Sequence, residues 1–281
     1  MVSTTDVRQA KVVLIPVVSE VAEGSVQTIQ AVLETSLSIE PFDEELEAEP
    51  FAHGIDTMRF FWDEAPFANT EQAVGIVLDS NRLPLVLTGD PVLAAGAVRA
   101  VWKRHPDLEH LQVAARARLC AEVEGDPYGN RCLAARLGDY ELPAIQVGVR
   151  SVSRAELTHY RQQERHRIFW ARHFKDHSGG ERSWDIEDVL AALDVGRPLY
   201  LSLDLGGLDG PITALVDDPE PGGLGWFVLL RLLRAVFERH RVIACDLTGF
   251  GSYTAPLSAR VAAARLLHKI IGYKFTAYPP T

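Results

Sequence analysis

The stretch of residues 199–224 carries the residue types that point most clearly to chemistry. It opens on an apolar run that predicts a buried strand, and alternation places Ser202, Asp204 and Gly206 on one face of that strand. A glycine-rich turn follows directly. Open α/β sheets place their reactive groups at the carboxyl ends of strands, so we expect Asp204 to line a cleft there.

Two further carboxylates follow apolar runs of the same kind. Asp90 comes shortly after one predicted strand, and Asp246 ends another. Either carboxylate could act as an acid or a base if a pocket lay between them. The role that we favour for both is to accept hydrogen bonds from loop backbone.

The other candidates for catalysis or metal binding are weaker. His173 and His177 have the i, i+4 spacing of a helical metal pair, but no E-x-x-H context accompanies them. We therefore predict ordinary surface or interface histidines. Ser202 lacks the G-x-S-x-G context of a nucleophile elbow, so we do not predict a serine nucleophile.

Apolar strand runs alternate with helical segments along the chain. The predicted strands span residues 11–18, 57–61, 83–87, 111–115, 144–149, 166–170, 199–205 and 242–246. The predicted helices span residues 24–35, 69 or 70 to 79, 91–105, 153–163, 184–193, 225–239 and 257–271, with Ser183 capping the fifth. This alternation indicates a mostly parallel sheet that is buried on both faces. We predict a three-layer α/β/α fold in a single domain, residues 1–281.

Composition and charge exclude some classes of function. The chain has 281 residues, nearly half of them apolar, and a formal net charge of −10 at pH 7. Binders of nucleic acid or membrane surfaces normally need basic patches, so we expect neither partner. We interpret the acidic run of residues 41–50 as a solvated loop rather than a cation site. The chain begins without the layout of a secretory signal and has no apolar run of ~20 residues, which predicts a cytoplasmic protein.

Three cysteines do not suggest a disulfide framework in a chain of this length. Cys120 and Cys132 are too far apart in sequence for a C-x-x-C redox or zinc motif. Cys245 lies inside the apolar run VIAC and is predicted to be a small buried hydrophobic residue.

Four segments, in order along the chain, resemble motifs of the ureohydrolases, the arginase and agmatinase family. LPLVLTGDPVLAAGAVRAV is similar to P-x-x-L-G-G-[DE]-H-S and the helix after it, and IQVGVRSVSRAEL to the I-G-I-R-S-V-S-x-E-E segment of bacterial and archaeal agmatinase-like members. LYLSLDLGGLDGPITALVDDPEPGGL resembles the signature S-x-D-x-D-x-x-D-P with its tail, and VIACDLTGFG resembles V-x-G-F-D-V-V-E-x-N-P. The resemblance implies an arginase-like fold across nearly the whole chain.

The resemblance also implies six ligand positions for two Mn²⁺ ions, which in the family lower the pKa of a bridging water so that hydroxide attacks a guanidinium carbon. The six positions here are Pro91, Ala114, Arg116, Arg118, Asp204 and Gly206. Only Asp204 keeps a family ligand, so the sequence predicts no metal cofactor. The family glutamate that orients the guanidinium falls on Gly249, and its proton-shuttling histidine on or near Asn130.

Two arginines replace family ligands, and arginine carries a permanent charge with five donors that suit carboxylates. We hypothesise that Arg116 and Arg118 supply part of the lost cationic charge by pairing with Asp204, Asp90 or Asp246 across the old metal cavity. The alternative is that both arginines reach solvent at the strand ends. The same pair could also hold an anionic ligand such as a carboxylate or phosphate.

The sequence therefore predicts a catalytically inactive ureohydrolase-like protein that serves as a binding, regulatory or structural subunit. One alternative is a repurposed, metal-independent enzyme that uses the same cleft. Another is an agmatinase- or arginase-type guanidino hydrolase with a non-standard metal site. Members of the family assemble as trimers or hexamers, so we expect a homo-oligomer or a hetero-oligomer with an active ureohydrolase. A small guanidino or amine ligand is a further candidate partner.

Overall fold

One parallel sheet runs through the part of the chain that the computed structural model describes, residues 10–18, 23–59, 61–62, 66–175, 183–251 and 255–276. Every strand pairing within these ranges is parallel. The strands are β1 Val12–Val18, β2 Ile55–Thr57, β3 Phe61–Trp62, β4 Leu83–Thr88, β5 Glu109–Val113, β6 Ala144–Val149, β7 His166–Trp170, β8 Pro198–Asp204 and β9 Arg241–Thr248. Their order is β2-β1-β4-β9-β8-β5-β6-β7, and β3 also pairs with β1.

Helices cover both faces of this sheet, so the prediction of a three-layer α/β/α fold is confirmed. The helices are α1 Glu23–Ser36, α2 Pro66–Asp79, α3 Ala94–Trp102, α4 Leu133–Gly138, α5 Arg154–Tyr160, α6 Ile186–Leu190, α7 Trp226–Arg239 and α8 Leu257–Thr276. Residues of α2, α3 and α4 share one apolar core with one face of the sheet, and residues of α1, α6, α7 and α8 share a second core with the other face. None of the described helices is both long enough and apolar enough to cross a bilayer.

The central strands are apolar without alternation because both of their faces are buried. Every residue of β4 and of β8 is buried, although β8 also carries Ser202 and Asp204. Strands that are buried on both faces have little freedom to move. Their carboxyl ends therefore lie in well-defined positions at one edge of the sheet. That edge is where the sequence predicts the cleft.

The structure changes several predicted boundaries. The strand predicted over residues 57–61 is two short strands, β2 and β3, which both pair with β1. Helix α2 begins at Pro66 rather than at Asn69 or Thr70, because proline has the φ angle of a first helical turn. The hydroxyl of Thr70 donates to the Pro66 carbonyl at 2.6 Å inside that helix. The helix predicted over residues 91–105 starts as a short 3₁₀ turn before α3.

The cap predicted for the fifth helix is wrong. Helix α6 spans only Ile186–Leu190, and its N-terminal cap is Asp185 instead of Ser183. The Asp185 carboxylate accepts from Asp188 N at 3.1 Å, and the Asp188 carboxylate accepts from Asp185 N at 2.7 Å. This reciprocal pair satisfies two amides, whereas a serine cap with no acidic partner three residues later would satisfy only one.

The acidic run of residues 41–50 is not simply solvated, which corrects its interpretation. Asp43 is only 2% exposed, and its Oδ1 accepts a 2.8 Å hydrogen bond from Nζ of Lys269 in α8. The same ammonium lies 2.8 Å from Oε2 of Glu45, which also accepts from the Tyr273 hydroxyl at 2.8 Å. The loop therefore holds α8 in place through an internal cation.

Candidate functional site

The predicted cleft residues gather at the carboxyl edge of the sheet, where β4, β9, β8 and β5 lie side by side. Strands β8 and β9 pair so that Asp204 lies opposite Thr248 and Ser202 opposite Asp246. The residues that follow the four strands are Asp90 and Pro91 after β4, Ala114, Arg116 and Arg118 after β5, Gly206 after β8, and Gly249 after β9.

Asp204 forms a buried ion pair with Arg118. Nη2 of Arg118 lies 2.7 Å from Oδ2 of Asp204, and the two side chains are 10% and 3% exposed. The other carboxylate oxygen, Oδ1, accepts a 2.8 Å hydrogen bond from Gly206 N. Each oxygen of Asp204 thus has a donor, and one of the donors is a permanent cation. A buried carboxylate needs both kinds of compensation, because desolvation of its charge is costly.

Arg118 reaches Asp204 from a backbone conformation that side chains rarely adopt, with φ +53°. Its carbonyl accepts from Ala134 N at 2.9 Å, which ties it to the start of α4. Nη1 of Arg118 donates to the main-chain carbonyl of Asn130. Asn130 therefore contributes backbone to this site, whereas the family would place a proton-shuttling side chain at or near that position.

Gly206 and Gly249 leave the space that Asp204 fills. A Cβ at position 206 would lie 3.1 Å from Oδ1 of Asp204, and a Cβ at position 249 would lie 2.8 Å from the same atom. Gly249 also has φ +88°, which a residue with a side chain rarely adopts. Side chains at these two positions would need the Asp204 carboxylate to move.

Asp90, Pro91 and Ala114 have structural contacts. Oδ1 of Asp90 accepts a 3.1 Å hydrogen bond from Val92 N and so caps the 3₁₀ turn that contains Pro91. This is the backbone role favoured for Asp90 from the sequence. Ala114 is fully buried, and its amide donates to the Val147 carbonyl at 3.0 Å.

Arg116 does not pair with any of the three carboxylates that the hypothesis named. Its guanidinium contacts Asp218, lies 3.0 Å from Oε1 of Glu220 and donates to Ser151 Oγ at 3.3 Å. The side chain is 24% exposed, and the partner Asp218 is 77% exposed. The loop after β8 thus supplies the acidic partners of Arg116.

Arg150, which the sequence analysis did not single out, holds that loop. It donates to the carbonyls of Gly206 at 2.8 Å, Glu220 at 2.6 Å and Pro221 at 2.7 Å. Burial lowers the pKa of Arg150, although nearby carboxylates act in the opposite direction. The only signal in the sequence is its place in IQVGVRSVSRAEL, directly after β6.

Glu156, in the first turn of α5, holds a second loop at this edge. Its Oε1 accepts from Leu119 N at 3.1 Å, and its Oε2 accepts from Nη2 of Arg131 at 3.0 Å. Oε2 also accepts from Ser153 N at 2.8 Å, which completes a capping box. One carboxylate that is 3% exposed therefore joins the two ends of the loop that contains Asn130.

A chain of buried polar side chains runs across β5, β8 and β9 below the ion pair. The Ser202 hydroxyl donates to Oδ2 of Asp246 at 2.6 Å, and its oxygen lies 3.0 Å from Nε2 of His110. Each of the three residues is at most 1% exposed. Because the Ser202 proton is used toward Asp246, we assign the His110 proton to Nε2.

Burial shifts the pKa values of the two titratable groups at the ends of this row of side chains. It raises the pKa of Asp246 to about 7 and lowers the pKa of His110 to about 3. Serine stands between histidine and aspartate here, whereas a hydrolytic triad has histidine in the middle. The order and the burial both argue against a nucleophilic role for Ser202.

The residues at this edge do not fit a two-manganese centre. Among the residues that the structure describes, no three or more His, Cys, Asp or Glu side chains are grouped as metal ligands would be. Asp204 is the one carboxylate at the six implied positions, and Arg118 and Gly206 already occupy its oxygens. A divalent cation beside it would also face the charge of the guanidinium.

The remaining candidates from the sequence either lie away from this edge or fall outside the described residues. Nε2 of His173 accepts a 3.0 Å hydrogen bond from Arg172, and His177 lies outside the described residues. Cys245 is fully buried, as predicted.

Comparison with known proteins shows which family this chain resembles. A model of the arginase family matches residues 16–272. The chain is 26% identical to the N(1)-aminopropylagmatine ureohydrolase of Synechocystis sp., with 96% of this chain and 90% of that protein covered. It is 29% identical to a protein of the same name from Thermus thermophilus, with 96% and 92% covered.

Solved structures agree on the fold. The agmatine ureohydrolase of Thermoplasma volcanium superposes with a TM-score of 0.82 at 21% identity, covering 97% of this chain and 92% of that one. Arginase from Bacillus subtilis superposes with a TM-score of 0.76 at 18% identity, covering 93% and 98%.

We predict that removing the Arg118 charge destabilises the protein far more than removing that of Arg116. The R118M substitution leaves Asp204 buried without a cation and should cost about 3 kcal/mol or more of unfolding free energy. The R116M substitution is the matched control and should cost less than about 1 kcal/mol, because its partner Asp218 is solvated. Urea denaturation of the two variants measures both values, and equal costs would contradict the assignment of a buried pair.

We also predict that Asp246 makes stability depend on pH. Its folded pKa, about 7, lies above its unfolded pKa of roughly 4, so its stabilising contribution is present below pH ~4 and is lost as pH rises to ~7. The unfolding free energy of the wild type relative to D246N should therefore fall across this window, by at most about 1.4 kcal/mol per pH unit.

The lowered pKa of His110 changes stability in the opposite direction. The contribution of His110 to the unfolding free energy is lost as pH falls below ~6.5. That loss is shared by the wild type and D246N, so their difference isolates Asp246. A difference that stays flat from pH 4 to pH 8 in urea titrations would contradict the prediction.

Proposed function

The chain belongs to the arginase family, and from this premise we propose that it is a member without the two-manganese centre. An internal arginine supplies positive charge beside the one surviving ligand position, and the protein acts as a binding, regulatory or structural subunit. The observation that carries the proposal is the 2.7 Å contact between Arg118 and Asp204, with Gly206 N on the second oxygen. The carboxylate then needs no further cation.

The chemistry of the neighbouring residues supports the same proposal. Hydrolysis of a guanidinium needs an activated water and a group that orients the cationic substrate. Asp246 is fully buried and bonded to Ser202, so it does not face a substrate. Position 249 has no room for an orienting carboxylate while Asp204 keeps its place.

The relatives named as N(1)-aminopropylagmatine ureohydrolases support the alternative function, hydrolysis of a guanidino compound at a non-standard metal site. That function would need Asp204 to be released from Arg118 and new ligands to approach it. A repurposed cleft that binds an anion is a further alternative. The observation that favours this alternative concerns Arg116, because its partner Asp218 is solvated and could be displaced by a ligand.

The decisive experiment measures manganese and urea on one preparation. Protein purified from manganese-supplemented culture should carry much less than one Mn per chain and release no urea from agmatine or aminopropylagmatine. The Synechocystis relative, handled identically, is the positive control. Two manganese ions per chain would overturn the proposal and favour the guanidino hydrolase, whereas urea release without metal would favour the repurposed cleft.

We further propose that this subunit assembles with copies of itself or with an active family member. Phe227 at the start of α7 and Leu257 at the start of α8 are 77% and 60% exposed. Phe227 also lines a groove of about 990 Å³ between these helices, with Leu230 and Val261 among its apolar walls. Exposed apolar surface of this kind is typical of contacts between subunits.

Light scattering tests the assembly. The purified chain should have the mass of a trimer or hexamer, and F227E should shift it toward the mass of one chain because a charge would be buried at the contact. I76E is the matched control, since Ile76 is a similarly exposed apolar residue on α2. A wild type of single-chain mass that captures no active relative would contradict the proposal.

A further inference from the structure

The fold brings Cys120 and Cys132 together, although a whole loop separates them in sequence. Cys120 N donates a 3.1 Å hydrogen bond to the carbonyl of Arg131, the residue before Cys132. One backbone hydrogen bond therefore joins Cys120 to the residue next to Cys132. Close approach of the two main chains is the first requirement for a disulfide.

Two further contacts hold the same ends together. Glu156 binds Leu119 N with one oxygen and the Arg131 guanidinium with the other, so the residue before each cysteine bonds to one carboxylate. Outside the cysteines, Ala134 N donates to the Arg118 carbonyl at 2.9 Å. The proximity of the pair thus rests on three independent contacts rather than on one loop conformation.

The segment between the cysteines, called the hairpin below, reverses direction in a tight turn. Val123 and Asp126 exchange both of their backbone hydrogen bonds at 2.9 Å, and Glu124 and Gly125 between them both have positive φ angles. This is the geometry of a two-residue turn that reverses the chain tightly. A second run of turns then leads to Cys132, whose amide donates to the Gly129 carbonyl at 2.9 Å.

Both thiols are free. Cys132 is fully buried, with its Sγ 3.9 Å from the Asp126 carbonyl, and Cys120 is half-buried. Burial is the main cause that raises the pKa of each thiol. A raised pKa lowers the fraction of each thiol that is thiolate near neutral pH, so we expect exchange of these thiols with an external disulfide to be slow.

We propose that Cys120 and Cys132 form a reversible disulfide that closes this hairpin beside the Arg118–Asp204 pair. The oxidant class is a low-molecular-weight disulfide such as oxidised glutathione. The Cys120 thiol, the more exposed one, loses its proton and attacks the glutathione disulfide, which releases one glutathione thiolate. The Cys132 thiolate then attacks Cys120 Sγ and releases the second, so two protein thiols are oxidised as one disulfide is reduced to two thiols.

The disulfide would act on the site through Arg118. The hairpin contains Asn130, whose carbonyl accepts from the Arg118 guanidinium, and Arg118 is two residues before Cys120. A covalent link between the two arms prevents them from separating and so keeps that acceptor in place. In the reduced form only noncovalent contacts keep the hairpin closed, so we expect it to open more often than the oxidised form does.

The first test is mass spectrometry of the intact wild-type chain after equilibration with oxidised glutathione and alkylation of the remaining thiols in denaturant. We expect one alkylated cysteine per chain and a peptide that links residues 120 and 132. C120S and C132S should form no internal link, whereas C245A, which removes the distant buried thiol, should form the link and carry no alkylated cysteine. Three alkylated cysteines, or a stable glutathione adduct in place of the link, would overturn the proposal.

A second measurement tests the closure of the hairpin and uses the wild type alone, so it does not depend on whether the variants fold. Oxidation should slow amide exchange in residues 119–132 and raise Tm by roughly 3–8 °C, and a dithiol reductant should reverse both changes. A link that leaves exchange and Tm unchanged would overturn the closure of the hairpin. Neither readout uses catalytic activity, so the result stands apart from the proposed function.

Discussion

A buried carboxylate at the end of a parallel strand needs positive charge beside it, and the surroundings of Asp204 are arranged around that requirement. The apolar strand β8 carries the carboxylate to the edge of the sheet, where it is almost fully removed from water. Arg118 meets it there from the end of β5 and adopts a positive φ angle to do so. Because positions 206 and 249 are glycines, the adjoining turns leave room for the pair.

Other charged side chains at this edge also find their partners within the chain. Arg150 binds the carbonyls of the loop after β8, and that loop in turn supplies the acidic partners of Arg116. Glu156 joins the two ends of the hairpin that holds the Arg118 guanidinium. In these pairs the chain itself thus provides both the cation and the anion.

Sequence patterns predicted the layers because strands buried on both faces are mostly apolar and lack alternation, as in β4 and in the first part of β8. The family resemblance placed Arg116 and Arg118 at ligand positions, and their charge led to the hypothesis that they pair with Asp204, Asp90 or Asp246. The structure contains one such pair, Arg118 with Asp204. The partners of Arg116 were not predictable, because Asp218 and Glu220 belong to a loop whose path depends on the contacts of Arg150.

The chain from His110 through Ser202 to Asp246 was also beyond sequence reasoning. It depends on the register between three strands that are far apart in the sequence. The cap of α6 shows the same limit at short range, since Ser183 and Asp185 are both good caps and only the reciprocal contact with Asp188 distinguishes them.

The crowding around Oδ1 of Asp204 constrains the order in which substitutions can accumulate. An aspartate at position 206 would place its Cβ 3.1 Å from that oxygen, and a glutamate at position 249 would place its Cβ 2.8 Å from it in a backbone conformation suited to glycine. Either substitution therefore requires the Asp204 carboxylate to shift while Arg118 holds it where it is. Residues 118, 206 and 249 are thus coupled through one oxygen atom, so the effect of a side chain at either glycine should depend on which residue occupies position 118.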